Sequence, residues 1–218
     1  MKTMVALSGG LDSTVLLYFM LKQGRDTLAV SFSYGQKHDK ELIFAQRQCE
    51  TLGVTHTVVD LTGVGALLAV GGCSLLGSDK IPEGHYEDSS MRSTVVPNRN
   101  MIMLSIAGGI AMANDFDSLA IGAHAGDHCV YPDCRPAFMS AMQTAFSLAD
   151  WKALTLVTPF IDKTKADIVS LGAELGVPFV DTWSCYKGGE LHCGLCGTCV
   201  ERKEAFDQSG VTDPTEYM

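Results

Sequence analysis

The chain of 218 residues lacks a long hydrophobic run and shows no cluster of positive charge. A membrane-spanning helix needs about 20 consecutive apolar residues, and the longest candidate, 101–113, is shorter and contains two glycines. Only 16 residues are Lys or Arg against 25 Asp or Glu, so the net charge is −9. Nucleic-acid-binding proteins neutralise phosphates with clustered cations. The sequence therefore predicts small-molecule substrates, with neither a nucleic acid nor a membrane as partner.

The N-terminus has no signal-peptide pattern, and we expect a cytoplasmic protein. Disulfides are rare in that compartment, where cysteines more often bind metals or act in catalysis. Four of the eight cysteines form a C-x7-C-x2-C-x2-C pattern: Cys185, Cys193, Cys196 and Cys199. Zinc prefers a tetrahedron of thiolates, and x2 spacing brings two sulfurs to one ion. The pattern predicts one structural zinc ion per chain. His192 is left as a neighbour, because four thiolates leave no open position.

Predicted strands and helices alternate along most of the chain. Short apolar runs predict strands at 4–7, 28–32, 54–61, 118–122 and 154–157. Apolar residues at helical spacing predict helices at 12–20, 39–52, 64–69, 100–114, 135–149 and 162–175. This alternation is typical of an α/β fold with a doubly wound, mostly parallel sheet. We expect residues 1–182 to form this domain and 183–218 a small zinc-binding segment packed on it. Within that segment, 201–216 are predicted to be a solvated helix and tail.

A glycine turn, Ser8-Gly9-Gly10-Leu11-Asp12-Ser13, follows the first predicted strand. Asp12 or Ser13 is predicted to cap the next helix. Glycines let backbone N–H groups approach phosphate oxygens, and the helix dipole favours negative charge there. The turn lacks the Lys-[Ser/Thr] ending of the mononucleotide P-loop. It is therefore predicted to hold a phosphate group in a different reaction from γ-phosphate transfer.

The turn resembles the SGGxDS loop of the ATP pyrophosphatase (PP-loop) family, which holds pyrophosphate while AMP passes to a substrate. Four further segments, in the same order, resemble the 7-cyano-7-deazaguanine synthase family within it. They are Tyr34-Gly35-Gln36 with His38 and Glu41; Val96 to Asn100; Gly122 to Phe138, with Tyr131-Pro132-Asp133-Cys134-Arg135; and Thr158-Pro159-Phe160 with Lys163 and Lys165. The resemblance covers nearly the whole chain. It implies a Rossmann-like PP-loop fold and a homodimer.

The resemblance also implies the residues of a site. The expected ATP-binding residues are Ser8, Gly9, Gly10, Leu11, Asp12, Ser13, Lys163 and Lys165. Asp12 is the expected magnesium ligand, and Asp12, Arg99 and Lys163 are expected to act in catalysis. The expected substrate-binding residues are Tyr34, Gln36, His38, Asn100, Asp127, Tyr131, Asp133 and Arg135.

Some of these residues also have an ordinary structural interpretation. Lys163 and Lys165 near a helix start oppose its dipole, so an anionic ligand such as ATP phosphate explains them better. Asp127 and Asp133 suit the N–H donors of a guanine-like base. Pro132-Asp133 is, however, also common in turns.

For three other residues both roles stay open. Tyr131 stacks on a base or packs in the interior, and Arg135 pairs with a substrate carboxylate or anchors its own loop. His38 reaches the nucleotide or lies on the surface. Cys134 has no evident base nearby in the sequence, so we expect a small buried residue rather than a nucleophile.

The family resemblance implies an ATP-dependent ligase that converts 7-carboxy-7-deazaguanine and ammonia into 7-cyano-7-deazaguanine (preQ0), as in queuosine biosynthesis. Transfer of AMP turns the carboxylate into an acyl-adenylate, ammonia gives the amide, and a second adenylation leads to the nitrile. Three alternatives stay open: a relative that stops at the amide, a PP-loop tRNA thiolase, and a nucleotide-sensing adaptor without turnover. The departure at His128-Cys129-Val130 leaves the fine substrate preference open.

Overall fold

The computed structural model describes residues 1–37, 39–77 and 79–218. Its strands are β1 (Lys2–Ala6), β2 (Asp26–Ser33), β3 (Thr55–Asp60), β4 (Ser118–Ala120) and β5 (Thr155–Val157). They form one sheet in the order β3-β2-β1-β4-β5, and every pairing is parallel. Val5 lies opposite Ala29 of β2 and Ala120 of β4. The central strand β1 is therefore the one that leads into the glycine turn.

Helices pack on both faces of the sheet. They are α1 (Leu11–Lys22), α2 (Lys40–Leu52), α3 (Thr62–Ala69), α4 (Arg99–Ala113), α5 (Pro136–Leu148), α6 (Lys165–Glu174) and α7 (Gly197–Ser209). One core cluster joins Val5 to residues of α1, α2, α6 and α7. A second joins Met4, on the opposite face of the same strand, to α4 and α5. The predicted doubly wound α/β fold is confirmed.

Two helix starts differ from the prediction for local reasons. Helix α1 begins at Leu11 with Gly10 as its N-cap, so Asp12 and Ser13 lie in the first turn and do not cap it. Helix α6 begins at Lys165, because Thr164 and Asp167 form a capping box. In it the Thr164 hydroxyl accepts the Asp167 N–H at 3.1 Å, and Asp167 accepts the Thr164 N–H at 2.9 Å.

The prediction of a solvated C-terminal helix is wrong for one face of that helix, whereas residues 210–216 of the tail are exposed or half-buried. Arg202 is completely buried and donates hydrogen bonds to the Thr182 hydroxyl at 2.8 Å and the Phe179 carbonyl at 3.0 Å. Phe206 packs edge-on against Phe179, with ring centroids 5.0 Å apart. Charged residues mask the pattern of this helix, because its buried face includes both Arg202 and Glu201.

Part of the long connection between α3 and α4 is folded onto the C-terminal segment. Cys73, Leu75 and Ile81 are buried in one cluster with Trp183 and the four C-terminal cysteines. Glu83 pairs with Cys196 in an isolated antiparallel bridge. The domain boundary at 182/183 stays a prediction. Within residues 1–37, 39–77 and 79–218, no helix is long and apolar enough to cross a bilayer.

Candidate active site

The carboxyl ends of β1 and β4 open into one cavity of about 280 Å³. Here the strand order reverses, since β1 leads to β2 on one side and lies beside β4 on the other. Open α/β sheets bind ligands in the crevice outside such a point. The predicted site residues that line the cavity are Ser8, Gly10, Leu11, Asp12, Ser13, Tyr34, Gln36, Arg99, Asn100, Asp127, Tyr131 and Lys165.

The glycine turn is held by its own hydroxyl groups and by close contact with α2. The Ser13 hydroxyl accepts the Ser8 N–H at 3.1 Å, and the Ser8 hydroxyl accepts the Gly10 N–H at 3.2 Å. Gly9 has φ +87°, and a Cβ there would lie 2.0 Å from the Glu41 carbonyl oxygen. Its own carbonyl accepts the Trp183 N–H at 3.0 Å. Only glycine fits this position.

Charged side chains form a cluster beside the turn, here called the charged cluster: Asp12, His124, Asp127, Lys165 and Glu201. Lys165 Nζ lies 2.6 Å from Glu201 Oε2 and 3.2 Å from Asp12 Oδ2. Burial acts to lower the pKa of Lys165, but Asp12 and Glu201 outweigh it and hold the pKa above its ordinary value. Burial acts to raise the pKa of Asp12, but the charge of Lys165 and its hydrogen bond act against burial, and the pKa lies below its ordinary value. Both groups are therefore charged near neutral pH.

Two atoms of the charged cluster are buried without a hydrogen-bond partner among the described residues: Asp12 Oδ1 and His124 Nε2. His124 Nδ1 accepts the Gly126 N–H at 3.1 Å, which leaves the proton of the neutral ring on Nε2. His124 Nε2 lies 3.7 Å from Asp12 Oδ2 and 3.6 Å from Asp127 Oδ2. The cluster thus presents a free carboxylate oxygen beside a phosphate-type turn, which fits a hard cation carried by a nucleotide.

Part of the cavity lining is aromatic and carries the guanidinium of Arg99. Arg99, the first residue of α4, lies with its guanidinium carbon 6.0 Å from the centre of the Tyr131 ring. The Tyr131 hydroxyl makes hydrogen bonds with the hydroxyls of Thr94 at 2.9 Å and Tyr186 at 3.1 Å. Burial raises the pKa of Glu41 to about 7, against the opposing effect of Arg99. A planar ring and a fixed positive charge suit an aromatic, anionic substrate.

Four of the predicted substrate-binding residues make hydrogen bonds with other parts of the protein. Gln36 lines the cavity, but its side chain is hydrogen-bonded to nearby backbone. Its Oε1 accepts the Tyr34 N–H, and its Nε2 donates to the Phe32 carbonyl. Asp133 accepts the Asn100 N–H at 2.9 Å at the start of α4, and Asn100 Nδ2 donates to the Asp133 carbonyl at 3.1 Å. The exposed Arg135 donates to the His128 carbonyl at 2.9 Å. For Arg135 and Asp133 these contacts favour the loop-anchoring role.

Lys163 differs from Lys165. Its side chain is exposed and does not occur among the described residues that line the cavity, although its carbonyl accepts the Ala125 N–H at 2.9 Å. Of these two lysines, only Lys165, the first residue of α6, lines the cavity. His38 lies outside the described residues. Cys134 is buried, and burial raises the pKa of its thiol well above the ordinary value.

The four C-terminal cysteines come together as predicted. Their sulfur atoms all lie within 4.8 Å of one another, and all four residues are buried. A tetrahedron with Zn–S bonds of about 2.3 Å has S–S edges of about 3.8 Å, so a small adjustment suffices. Backbone N–H groups of Leu195 and Cys196 donate to Cys193 Sγ at 3.4 and 3.3 Å, as suits a thiolate. His192 Nε2 instead accepts the Ser184 N–H at 3.1 Å and remains a neighbour.

Sequence reasoning missed Glu201, His124 and Tyr186, all of which reach the site region. Glu201 and Tyr186 line the cavity. The i, i+4 spacing of Gly197, Glu201 and Ala205 places Glu201 on the small-residue face of its helix, but gives no sign of its partner Lys165. For His124 and Tyr186 no local signal exists, because their partners are distant in sequence.

Comparisons with known proteins agree with these features. A family model described as "Queuosine biosynthesis protein QueC" matches residues 2–210. The chain is 52% identical over 219 residues to the 7-cyano-7-deazaguanine synthase of Paracoccus denitrificans (strain Pd 1222), covering 100% of this chain and 93% of that protein. It is 50% identical over 218 residues to the same-named protein of Methanoregula boonei (strain DSM 21154 / JCM 14090 / 6A8), covering 100% and 99%.

Among solved structures, the chain is similar to a 4-thiouridine synthetase–RNA complex with bound ATP. The TM-score is 0.53 and the identity 18%, over 80% of this chain and 40% of that one. At this identity the likeness concerns the fold alone.

Proposed function

This chain belongs to the family of 7-cyano-7-deazaguanine synthases, and we propose that it makes 7-cyano-7-deazaguanine from 7-carboxy-7-deazaguanine, ammonia and ATP in the cavity at the carboxyl ends of β1 and β4. The observation that carries this assignment is that two sets of residues with different chemistry line one cavity. The glycine turn with Asp12 and Lys165 lines the same cavity as Arg99, Asp127 and Tyr131. A nucleotide phosphate and an aromatic acceptor can therefore meet within one cavity.

ATP is held with its pyrophosphate at the glycine turn, where the N–H groups at the start of α1 and the helix dipole favour negative charge. Lys165 neutralises charge that develops on the phosphates as AMP is transferred. Asp12 provides a free Oδ1 for the magnesium ion that accompanies ATP. Lys163, Ser8 and Ser13 are retained as proposed nucleotide contacts.

The acceptor base is held on the aromatic side of the cavity. Tyr131 provides a ring face, Asp127 provides an acceptor for base N–H groups, and Arg99 faces the carboxylate of the acceptor. Tyr34, Gln36 and Asn100 shape this side. Adenylation gives the carboxylate a good leaving group, because AMP departs where oxide would not. Ammonia then displaces AMP to give the amide, and adenylation of the amide oxygen followed by loss of AMP leaves the nitrile.

The cysteine cluster fits a zinc ion in a structural role. Its sulfurs complete a tetrahedral shell, and such an ion contributes folding energy directly. Cys185, Cys193, Cys196 and Cys199 would hold it.

We also propose that the enzyme acts on small molecules without a nucleic acid, as a cytoplasmic homodimer. The net charge of −9 supports the first point. A tRNA thiolase needs a reactive cysteine at the acceptor. Cys134 lines the cavity, but its raised thiol pKa opposes formation of a thiolate.

The test is a reaction of the purified protein with 7-carboxy-7-deazaguanine, ATP, magnesium and ammonium in the absence of a sulfur donor. We expect the nitrile by mass spectrometry, with two AMP released for each nitrile. An amide end product with one AMP indicates the relative that stops earlier, and no AMP release contradicts the proposal. Asp12→Ala should abolish AMP release while the cysteine cluster keeps its metal. Wild-type rates in that variant would refute the role of Asp12.

A further inference from the structure

We propose that Glu201, on the helix that starts at the cysteine cluster, is a positioning residue for the ATP-binding Lys165. The inference rests on the proposed function, because it assigns Lys165 to the phosphates of ATP. It also makes the C-terminal cysteine segment part of the ATP site rather than only a stabilising appendage.

The first support is the contact between these two side chains. Glu201 Oε2 lies 2.6 Å from Lys165 Nζ, and the two side chains are only 10% and 12% exposed. The second oxygen of Glu201 is directed toward Gly126, where an added Cβ would lie 3.0 Å from it. Glycine at position 126 therefore leaves room for this carboxylate between α7 and the loop after β4.

The second support is that α7 is fixed on both sides of Glu201. Cys196 is its N-cap, and Cys199 lies in its first turn, so a metal held by the four cysteines would anchor the beginning of the helix. The next residue after Glu201 is Arg202, whose guanidinium is completely buried and bonded to Phe179 and Thr182. Glu201 consequently sits on a rigid support, which is what a positioning residue requires.

The third support is the number of donors on the lysine. An ammonium group has three N–H donors. Two of them are directed to Glu201 and Asp12, and Lys165 lines the cavity, where the third can reach a phosphate oxygen. Because Asp12 would also serve the cation of the nucleotide, Glu201 is the carboxylate that is left to hold the lysine. Protein kinases use a comparable helix-borne glutamate to hold a phosphate-binding lysine.

Two effects of Glu201 oppose each other, and the opposition makes the inference testable. If Glu201 only neutralises Lys165, its removal frees positive charge and ATP binds more tightly. If Glu201 positions Lys165, its removal lets the lysine leave its productive geometry and ATP binds more weakly. The buried geometry and the short contact favour the second outcome.

The experiment measures binding of ATP with magnesium alone, by calorimetry, in the full-length protein that retains its metal. We expect Glu201→Gln to raise the Kd for ATP at least about tenfold, which corresponds to about 1.4 kcal/mol, and to lower kcat/KM for ATP by at least as much. Metal content should stay that of the wild type. Asp207→Asn, which removes an exposed charge from the same helix, is the control and should change neither value.

A double-mutant cycle with Lys165→Met separates positioning from a general effect. If Glu201 acts through Lys165, Glu201→Gln changes ATP affinity less than about twofold in the Lys165→Met background. Additive effects, or unchanged or tighter ATP binding by Glu201→Gln, overturn the inference. If Glu201→Gln does not fold, Glu201→Asp takes its place and should weaken ATP binding several-fold. Failure of wild-type protein to bind ATP instead contradicts the proposed function itself.

Discussion

Replacement of Gly9 by alanine tests how the glycine turn works, because the cost can be worked from the structure. Gly9 has φ +87°, and its added Cβ would lie 2.0 Å from the Glu41 carbonyl oxygen and 2.8 Å from the Ala45 nitrogen. A carbon and an oxygen normally approach to about 3.3 Å. The turn and α2 must therefore separate by about 1.3 Å.

Gly24→Ala provides a matched control for this substitution. Gly24 has φ +70°, but a Cβ there meets no described atom within 4 Å. It should pay only the left-handed backbone strain of about 1–2 kcal/mol, partly offset by about 0.4–1 kcal/mol from a less flexible unfolded chain. Its Tm should fall by about 2–4 °C.

Gly9→Ala adds the clash to that strain. Overpacking of this kind costs about 1–3 kcal/mol, so the total is about 2–4 kcal/mol and the Tm should fall by about 5–15 °C. Displacement of the turn by about 1 Å should also lower AMP release about 100-fold. Thermal unfolding and AMP release are measured for both variants. If Gly9→Ala matches Gly24→Ala in both measurements, the close contact of the turn with α2 is unimportant and the reasoning is wrong.

Two further predictions concern the cysteine cluster and Glu41. Cys196→Ser should lose the metal and lower the Tm by at least about 10 °C, whereas replacement of the exposed Cys129 by serine should change neither. Metal analysis and thermal unfolding measure both effects. A Cys196 variant that keeps its metal and its stability contradicts the tetrathiolate site. The pKa of Glu41 is raised to about 7 in the folded protein, so the folded state keeps a proton that the unfolded chain releases near pH 4.5. The free energy of unfolding therefore falls as the pH rises from about 4.5 to 7, by up to about 3 kcal/mol. Glu41→Gln lacks this loss, and its advantage in free energy of unfolding by denaturant titration should grow from pH 5 to 8; a difference that does not change with pH contradicts the buried carboxyl.

The fold and the family were predictable from local patterns. The alternation of apolar runs and helical stripes predicted the parallel sheet, and Gly9 with its neighbours marked the start of α1. The C-x2-C spacing around Cys196 brought the sulfurs together as expected. Each of these features depends on residues close together in sequence, where backbone geometry leaves few choices.

The charged interior of the C-terminal helix was not predictable in this way. Charged residues suggest solvent, yet Arg202 is completely buried and Glu201 lies against Lys165. Arg202 compensates its burial with partners in residues 179–182, and Glu201 with a lysine on α6. Such compensation appears only when helices from distant parts of the chain have packed together.

The sequence by itself determined that a chain with this glycine turn, this middle segment and this cysteine cluster belongs to the 7-cyano-7-deazaguanine synthase family. Tertiary structure decided which of two nearby lysines lines the cavity, since the capping box starts α6 at Lys165 and leaves Lys163 exposed. It also decided that Asp133 anchors α4 and that His124 and Glu201 flank Asp12 and Lys165. The physical reason is separation in sequence. Turns and cysteine clusters form between residues that are close in sequence. The ion pair between Glu201 of α7 and Lys165 of α6 forms only after the helices have packed together and excluded water around it.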